Sequence, residues 1–381
     1  MTENPEFEKS LSVLRTCLFV VGVDIFGDDW RPNIWSYTTI LILVSYPMMA
    51  VHFIMHHVDS TEFLTESVSA AISIADMAFS VLEFIRNRKE WFGIIKSTQE
   101  CALLFDGKKF TQLFYEYFHR NYVFVNIYYS VCAITASVYA IISFMRPDPR
   151  KFGLPLPLIF PFMDAQSELF HSLNVIYQYG IIIFSAHIAV AQFAAIIVGI
   201  TAACCQLDAF KITIRNFNSL IAEPDTTQES LKTALIEIVR LHAVIRAYIS
   251  RIQRKFAIMY LAMIFTCGIV VAMCLNVAAG NIVSSSSCLM LVAFASIMIN
   301  CYCGIYLIAV NEDLVATIYD IDWYELSVPN RKLFKFFLAN AQTPAALHGY
   351  LMPLNMATFV KVSKQSQYNV KLSSKVFIHR L

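Results

Sequence analysis

The chain has 381 residues, 57% of them hydrophobic and only 15% charged, against about 25% charged in an ordinary soluble domain. A formal net charge of +1 argues against a nucleic-acid-binding protein. The apolar residues gather into runs of about twenty, each enough to cross ~30 Å of hydrocarbon, so the composition predicts an all-α polytopic protein of the lipid bilayer.

The first residues, MTENPEFEKSLSVLRTC, lack a basic region followed by an apolar core and a small-residue cleavage site, so no cleaved signal peptide is expected. Seven spans are predicted, at 34–55 (with Pro47 inside), 63–85, 122–144, 171–203, 256–277, 288–310 and 347–372. Most of the ten cysteines fall inside spans or on one side of the membrane, which predicts no extracellular disulfide framework. Cys301 and Cys303 lack the second pair that a zinc site would need, and no metal or other cofactor is expected.

Lysine and arginine set the orientation. With a cytoplasmic N-terminus, the inner segments hold clusters such as Arg86, Arg88 and Lys89, then Arg246, Arg251, Arg254 and Lys255, and later Arg331, Lys332 and Lys335. The outer loops hold only Arg146, Arg150 and Lys151, with further basic residues in or after the seventh span. Seven spans then leave the C-terminus extracellular. That topology is the reverse of a G-protein-coupled receptor, and the sequence motifs of that class (Asp-Arg-Tyr, Cys-Trp-x-Pro and Asn-Pro-x-x-Tyr) are absent from the third, sixth and seventh spans as well.

The inner connections have periodicity of their own. In 230–255, Leu231, Leu235, Ile238, Leu241, Ile245, Ile249 and Ile252 share one helical face, with Arg240 and Arg251 on the other side. This segment runs into the fifth span, the fourth continues past the membrane, and 307–338 supplies a third helical extension. The three either pack as a cytoplasmic anchor bundle or lie on the headgroups.

Few residues suggest chemistry. Asp76, within the second span, is expected to be satisfied by a hydrogen bond to a neighbouring helix or to meet a ligand or ion. His52 and His56 sit four apart without a matching carboxylate or thiol, and read as interfacial. His187 and His242 are expected to be hydrogen-bonded. No nucleophile–base arrangement or nucleotide loop is present, and the chain is not expected to be an enzyme. A transporter would call for paired intramembrane charges or internal repeats, which the sequence does not display; a non-conducting accessory protein remains an alternative.

Small and aromatic residues collect toward the outer halves of spans two to four. Ser137, Ala140 and Phe144 share a face of span three, and Leu173, Tyr177 and Ile181 a face of span four. Ser73 and Ile74, with Leu291 and Phe294, lie at depths that complete the walls of an apolar ligand pocket, although such faces also serve helix packing. The pocket would suit a small, weakly polar molecule, with Ser137 or Tyr177 supplying any hydrogen bond.

The last span is apolar in its first half only. Lys361, Lys364, Gln365, Tyr368, Lys371 and Lys375 recur at three- and four-residue steps and form one polar stripe. Such a face lines a pore, a cavity or a partner, unless the span ends near Val362 and the lysines sit among headgroups.

The loop LPLPLIFPF at 154–162, the run LIEIVRLHAVIRAYISRIQRKFAIMYLAMIF, and the C-terminal segment bearing Cys301-Tyr302-Cys303-Gly304, Trp323-Tyr324, Ala341-Gln342 and Pro344 resemble insect odorant receptors. The ending typical of the related gustatory receptors is absent. The resemblance implies a tuned subunit that binds a small volatile odorant and gates a non-selective cation channel. It also implies a tetramer with odorant receptor co-receptor subunits, in the plasma membrane of olfactory sensory neurons. Residues 1–205 would hold spans one to four and most of the pocket, 206–345 the anchor helices with spans five and six, and 346–381 the pore-lining seventh span. The seventh helix would be split at Pro344, with 334–341 in its inner half and 352–375 in its outer half. Lys361, Gln365, Tyr368, Lys371, Leu372 and Lys375 would then face the pore. Four copies of Lys371 and Lys375 would ring a cation pathway with positive charge, so a partner with an apolar gate is expected.

Overall fold

The computed structural model describes residues 5–27, 29–57, 61–103, 105, 108–145, 154–156, 158, 160, 167–278, 285–343, 348–349 and 352–353. Within them the chain is almost wholly helical: α1 (Pro5–Val20), α2 (Ile34–His57), α3 (Thr61–Arg86), α4 (Arg88–Leu103), α5 (Lys108–Met145), α6 (Glu168–Ile221), α7 (Gln228–Ala278), α8 (Ser285–Tyr319) and α9 (Val328–Ala341). A two-residue antiparallel pair joins His348–Gly349 (β1) to Met352–Pro353 (β2).

Six helices, α2, α3 and α5 to α8, are long and apolar enough to cross a membrane. They correspond to the first six expected spans. The seventh, with its polar stripe and Pro344, lies outside the described residues, and so do Lys361, Gln365, Tyr368, Lys371, Leu372 and Lys375. Residues 334–341 form the end of α9.

Length decides the next level of structure. At ~1.5 Å per residue, the 54 residues of α6 and the 51 of α7 reach far beyond ~30 Å of hydrocarbon. Their excess runs out on one side and packs with the end of α8 and with α9. Here Leu231, Leu235, Ile238, Ile245, Ile249 and Ile252 of α7 are buried, as are Phe210 and Ile214 of α6, Leu314 and Ile318 of α8, and Phe334 and Phe337 of α9. Of the apolar face read from the sequence, only Leu241 is part-buried. The extensions are thus a packed bundle. Polar ties close its tip: Asn218 Oδ1 accepts from the Asp322 amide at 2.8 Å, and Gln228 Oε1 accepts from the Ser327 amide at 2.8 Å.

Two helices were not foreseen, because each is too short and too mixed in composition to read as a span. Helix α1 lies across α5 and α6 and buries Phe7, Leu11, Leu14 and Leu18. At its start, Lys9 donates to Glu6 at 2.6 Å and holds that carboxyl below its usual range. The chain enters α2 through Gly22, whose φ of 77° leaves its carbonyl to accept from Ser36 Oγ at 2.5 Å; a Cβ there would strike the Trp35 ring.

Helix α4 follows α3 after a single residue, and this corner meets α7 through charge. Lys255 Nζ, 6% exposed, lies 2.8 Å from Glu83 and 3.3 Å from Glu90. Its ammonium stands 5.7 Å from the centre of the Trp91 ring, which itself stacks on Phe256. One turn earlier, Arg251 donates to Gly93 O and Ser97 Oγ, and Tyr248 shares a 2.7 Å hydrogen bond with Thr98. Arg251 does leave the apolar face of α7, as its position in the sequence indicates, but it faces α4. On the other side Gly199 of α6 admits the Phe256 ring, whose Cζ would stand 2.9 Å from an added Cβ.

His242 is packed between rings, 5.7 Å from Phe210 and 5.3 Å from Phe337. Burial lowers its pKa from 6.5 to about 4.

Lys255→Ala, which leaves Glu83 buried without its cation, is expected to cost roughly 3–5 kcal/mol, read as a lowered unfolding temperature in detergent. Lys255→Met combined with Glu83→Leu should recover most of that loss. For His242, the unfolded chain binds a proton below pH 6.5 while the folded chain resists until near pH 4. Stability contributed by the neutral ring is therefore complete above pH 6.5 and falls, by up to about 3 kcal/mol, as pH drops toward 4. Thermal unfolding at stepped pH should show this slope, and His242→Leu should flatten it.

Candidate ligand cavity

At the end of the bundle away from the extensions, five helices part around a cavity of about 190 Å³. Helix α3 contributes Ala70, Ser73, Ile74, Asp76 and Met77. Helix α5 contributes Tyr128, Cys132, Thr135, Ala136 and Tyr139. Helix α6 supplies a long wall from Ile181 and Ile182 through Ser185, Ala186 and Ala189 to Gln192 and Phe193. Met263, Thr266, Cys267 and Val270 of α7 face them, and α8 closes the circle with Cys288, Leu289, Val292, Ala293, Ser296 and Asn300. Small side chains on α6 and α8 open the space, because Ala186, Ala189 and Ala293 stand where larger residues would fill it.

The segment after α5 turns back to cover this space. Leu154, Pro155, Leu156 and Leu158 are buried, and Leu156 reaches the cavity. Gln178, fully buried on α6, holds the segment from both ends of its amide: its Oε1 accepts from the Leu156 amide at 2.6 Å, and its Nε2 donates to Leu158 O at 2.9 Å. Tyr139 adds a hydrogen bond to Pro155 O at 3.2 Å. Non-helical backbone at this depth is tolerated because side chains satisfy its polar groups.

Polar groups mark the deep end. Tyr128 OH and Ser296 Oγ lie 2.8 Å apart, tying α5 to α8, and the Tyr128 ring packs 4.0 Å from that of Phe193. Asn300 Nδ2 donates to Ser296 O at 2.8 Å, while its Oδ1 has no hydrogen-bond partner among the described residues. Gln192 Nε2 and Ser185 Oγ are likewise buried without partners. Asp76 lines the wall at 6% exposure; neither Ser73, which donates to Ser69 O, nor Ser80 hydrogen-bonds to it.

Of the residues singled out from the sequence, Ser73, Ile74 and Ile181 line the cavity. Six others stand elsewhere. Ser137 is exposed and donates to Ala133 O at 2.8 Å, and part-buried Ala140 is not on the wall. Leu291 and Phe294 face outward at 58% and 39% exposure, and Leu173 at 45%. Tyr177 OH meets Ser45 Oγ at 2.7 Å and its ring packs on Phe160, so it pins α6 to α2. The Phe144 side chain lies outside the described residues. The offset is rotational: on α5 and α8 the wall is built by immediate neighbours, Ala136 and Val292, and one residue turns a helix face by ~100°. Gln178 and Gln192 were missed, although a glutamine within an apolar run is itself a signal of a buried hydrogen bond or a polar site.

His187 Nδ1 is 2.8 Å from Ile183 O, the hydrogen bond expected of it. His242 instead sits among aromatic rings.

Comparison with known proteins places this architecture. The solved olfactory receptor OR5 of Machilis hrabei in complex with eugenol superposes with a TM-score of 0.77, covering 97% of each chain at 12% identity. A second structure of the same OR5 gives 0.75, covering 98% of this chain and 100% of the other, also at 12% identity. These likenesses establish the shared fold. No curated protein sequence matches the chain. The family model for the 7tm Odorant receptor matches residues 59–366, and the chain belongs to that odorant receptor family.

Proposed function

We propose that this chain is the odorant-binding subunit of a heteromeric, odorant-gated, non-selective cation channel. A small volatile would enter the cavity among α3 and α5 to α8, contacting Ser73, Ile74 and Ile181. The observation that carries this reading is the cavity itself, an apolar space bounded by five helices in a chain of the odorant receptor family. Its ~190 Å³ exceeds the ~150 Å³ of an apolar cavity that takes up benzene. The eugenol complex of OR5 supports a ligand-binding role for the shared fold.

The distribution of lysine and arginine supports a cytoplasmic location for the packed extensions and, with a seventh span, an extracellular C-terminus. The conducting partners would be co-receptor subunits in the plasma membrane of olfactory sensory neurons. The reason for a partner lies in Lys371 and Lys375, whose positive charge near a cation pathway is tolerable in one subunit and repulsive in four.

Co-expression with an odorant receptor co-receptor should yield odorant-evoked cation current, and this chain expressed by itself should yield none; a robust current from the chain alone would reject the heteromeric reading. Filling the space with Ala189→Phe should lower potency for the best agonist by tenfold or more, about 1.4 kcal/mol, with surface expression retained. An unchanged dose–response curve would place the ligand elsewhere.

A further inference from the structure

We propose that the cavity selects a small amine, whose ammonium group pairs with the Asp76 carboxylate. The proposal rests on the reading of this cavity as the ligand site and adds the chemical class of the ligand. Asp76 is 6% exposed and lines the cavity, and among the described residues it has neither a hydrogen bond nor an ion pair. A carboxylate held in hydrocarbon is costly unless a cation or several donors meet it.

The surrounding helices do not spare one. No Lys, Arg or His lines the cavity among the described residues. On α7, Lys255 is committed to Glu83 and Glu90; on α6, Lys211 pairs with Asp208 and Asp313. Arg120 of α5 lies over the Tyr117 ring, and His187 of α6 is turned to Ile183 O. Among the described residues no cation meets Asp76, and in this proposal the ligand supplies it.

The rest of the wall fits such a guest. Asn300 Oδ1 and Ser185 Oγ are buried acceptors without partners among the described residues. The Tyr128 and Phe193 rings, packed on each other, also line the space. Apolar groups such as Ile74 and Val292 take the hydrocarbon body. A neutral hydrocarbon of the same shape would leave the carboxylate and both acceptors unmet, which is the stronger basis for discrimination.

The test uses the full-length protein in detergent and three ligands of one shape: benzylamine, benzyl alcohol and toluene. Affinities are read from the dose dependence of ligand-induced thermal stabilisation. Benzylamine is expected to bind at least about tenfold more tightly than toluene, as a charge-assisted contact implies. Asp76→Asn, and independently Asp76→Leu, should reduce that advantage to about twofold or less. Failure of benzylamine to bind the folded wild-type chain, parity with toluene, or a preference that survives both substitutions would overturn the proposal. Ala189→Phe separates the two levels. If it leaves the binding of all three ligands unchanged, the cavity reading itself fails; if it weakens all three while benzylamine holds no advantage in the wild type, only the amine assignment falls.

Discussion

The buried ion pair of Lys255 with Glu83 is the constraint around which the bundle is arranged. An ammonium at 6% exposure persists only with its charge answered and its donors used. Glu83 answers it from the end of α3, Glu90 from the start of α4, and the Trp91 ring covers it. Three helices are thereby fixed at one level. Phe256, the next residue on α7, then fixes the fourth through the gap that Gly199 leaves on α6. Below this level the extensions pack on one another; above it the helices diverge around the cavity.

The same two helices carry both outcomes open to a charge in an apolar setting. On α3, Glu83 meets a cation supplied by α7, and two turns away Asp76 meets none among the described residues. The first arrangement locks the helices together. The second leaves a carboxylate on the wall of an open space. Both α3 and α7 run without a break from the cavity wall to the Lys255–Glu83 pair.

Gln178 has a comparable part in closing the cavity. One fully buried amide satisfies a donor and an acceptor of the covering segment, so backbone that could not otherwise stay at this depth is held against α6. Tyr177, its neighbour, turns outward to α2. Adjacent residues on one helix thus serve opposite faces, one fixing the cover and the other the rim of the bundle.

Composition and the spacing of apolar runs were enough to determine a polytopic helical protein, the positions of six spans, and the amphipathic face of the α7 extension. These are properties of single segments against a solvent, and hydrophobicity reports them directly. The motifs around Cys301 and Trp323 were enough to indicate the family. Tertiary structure alone decided which face of each span meets the cavity. Inside a bilayer both the lipid side and the protein side of a helix are apolar, so periodicity does not separate Ser137 from Ala136 or Leu291 from Val292. It also decided that Arg251 and Lys255 face α4 and α3, and that Asp76 has no pair among the described residues, because a charge's partner is set by where other helices lie and not by its own neighbours in the chain.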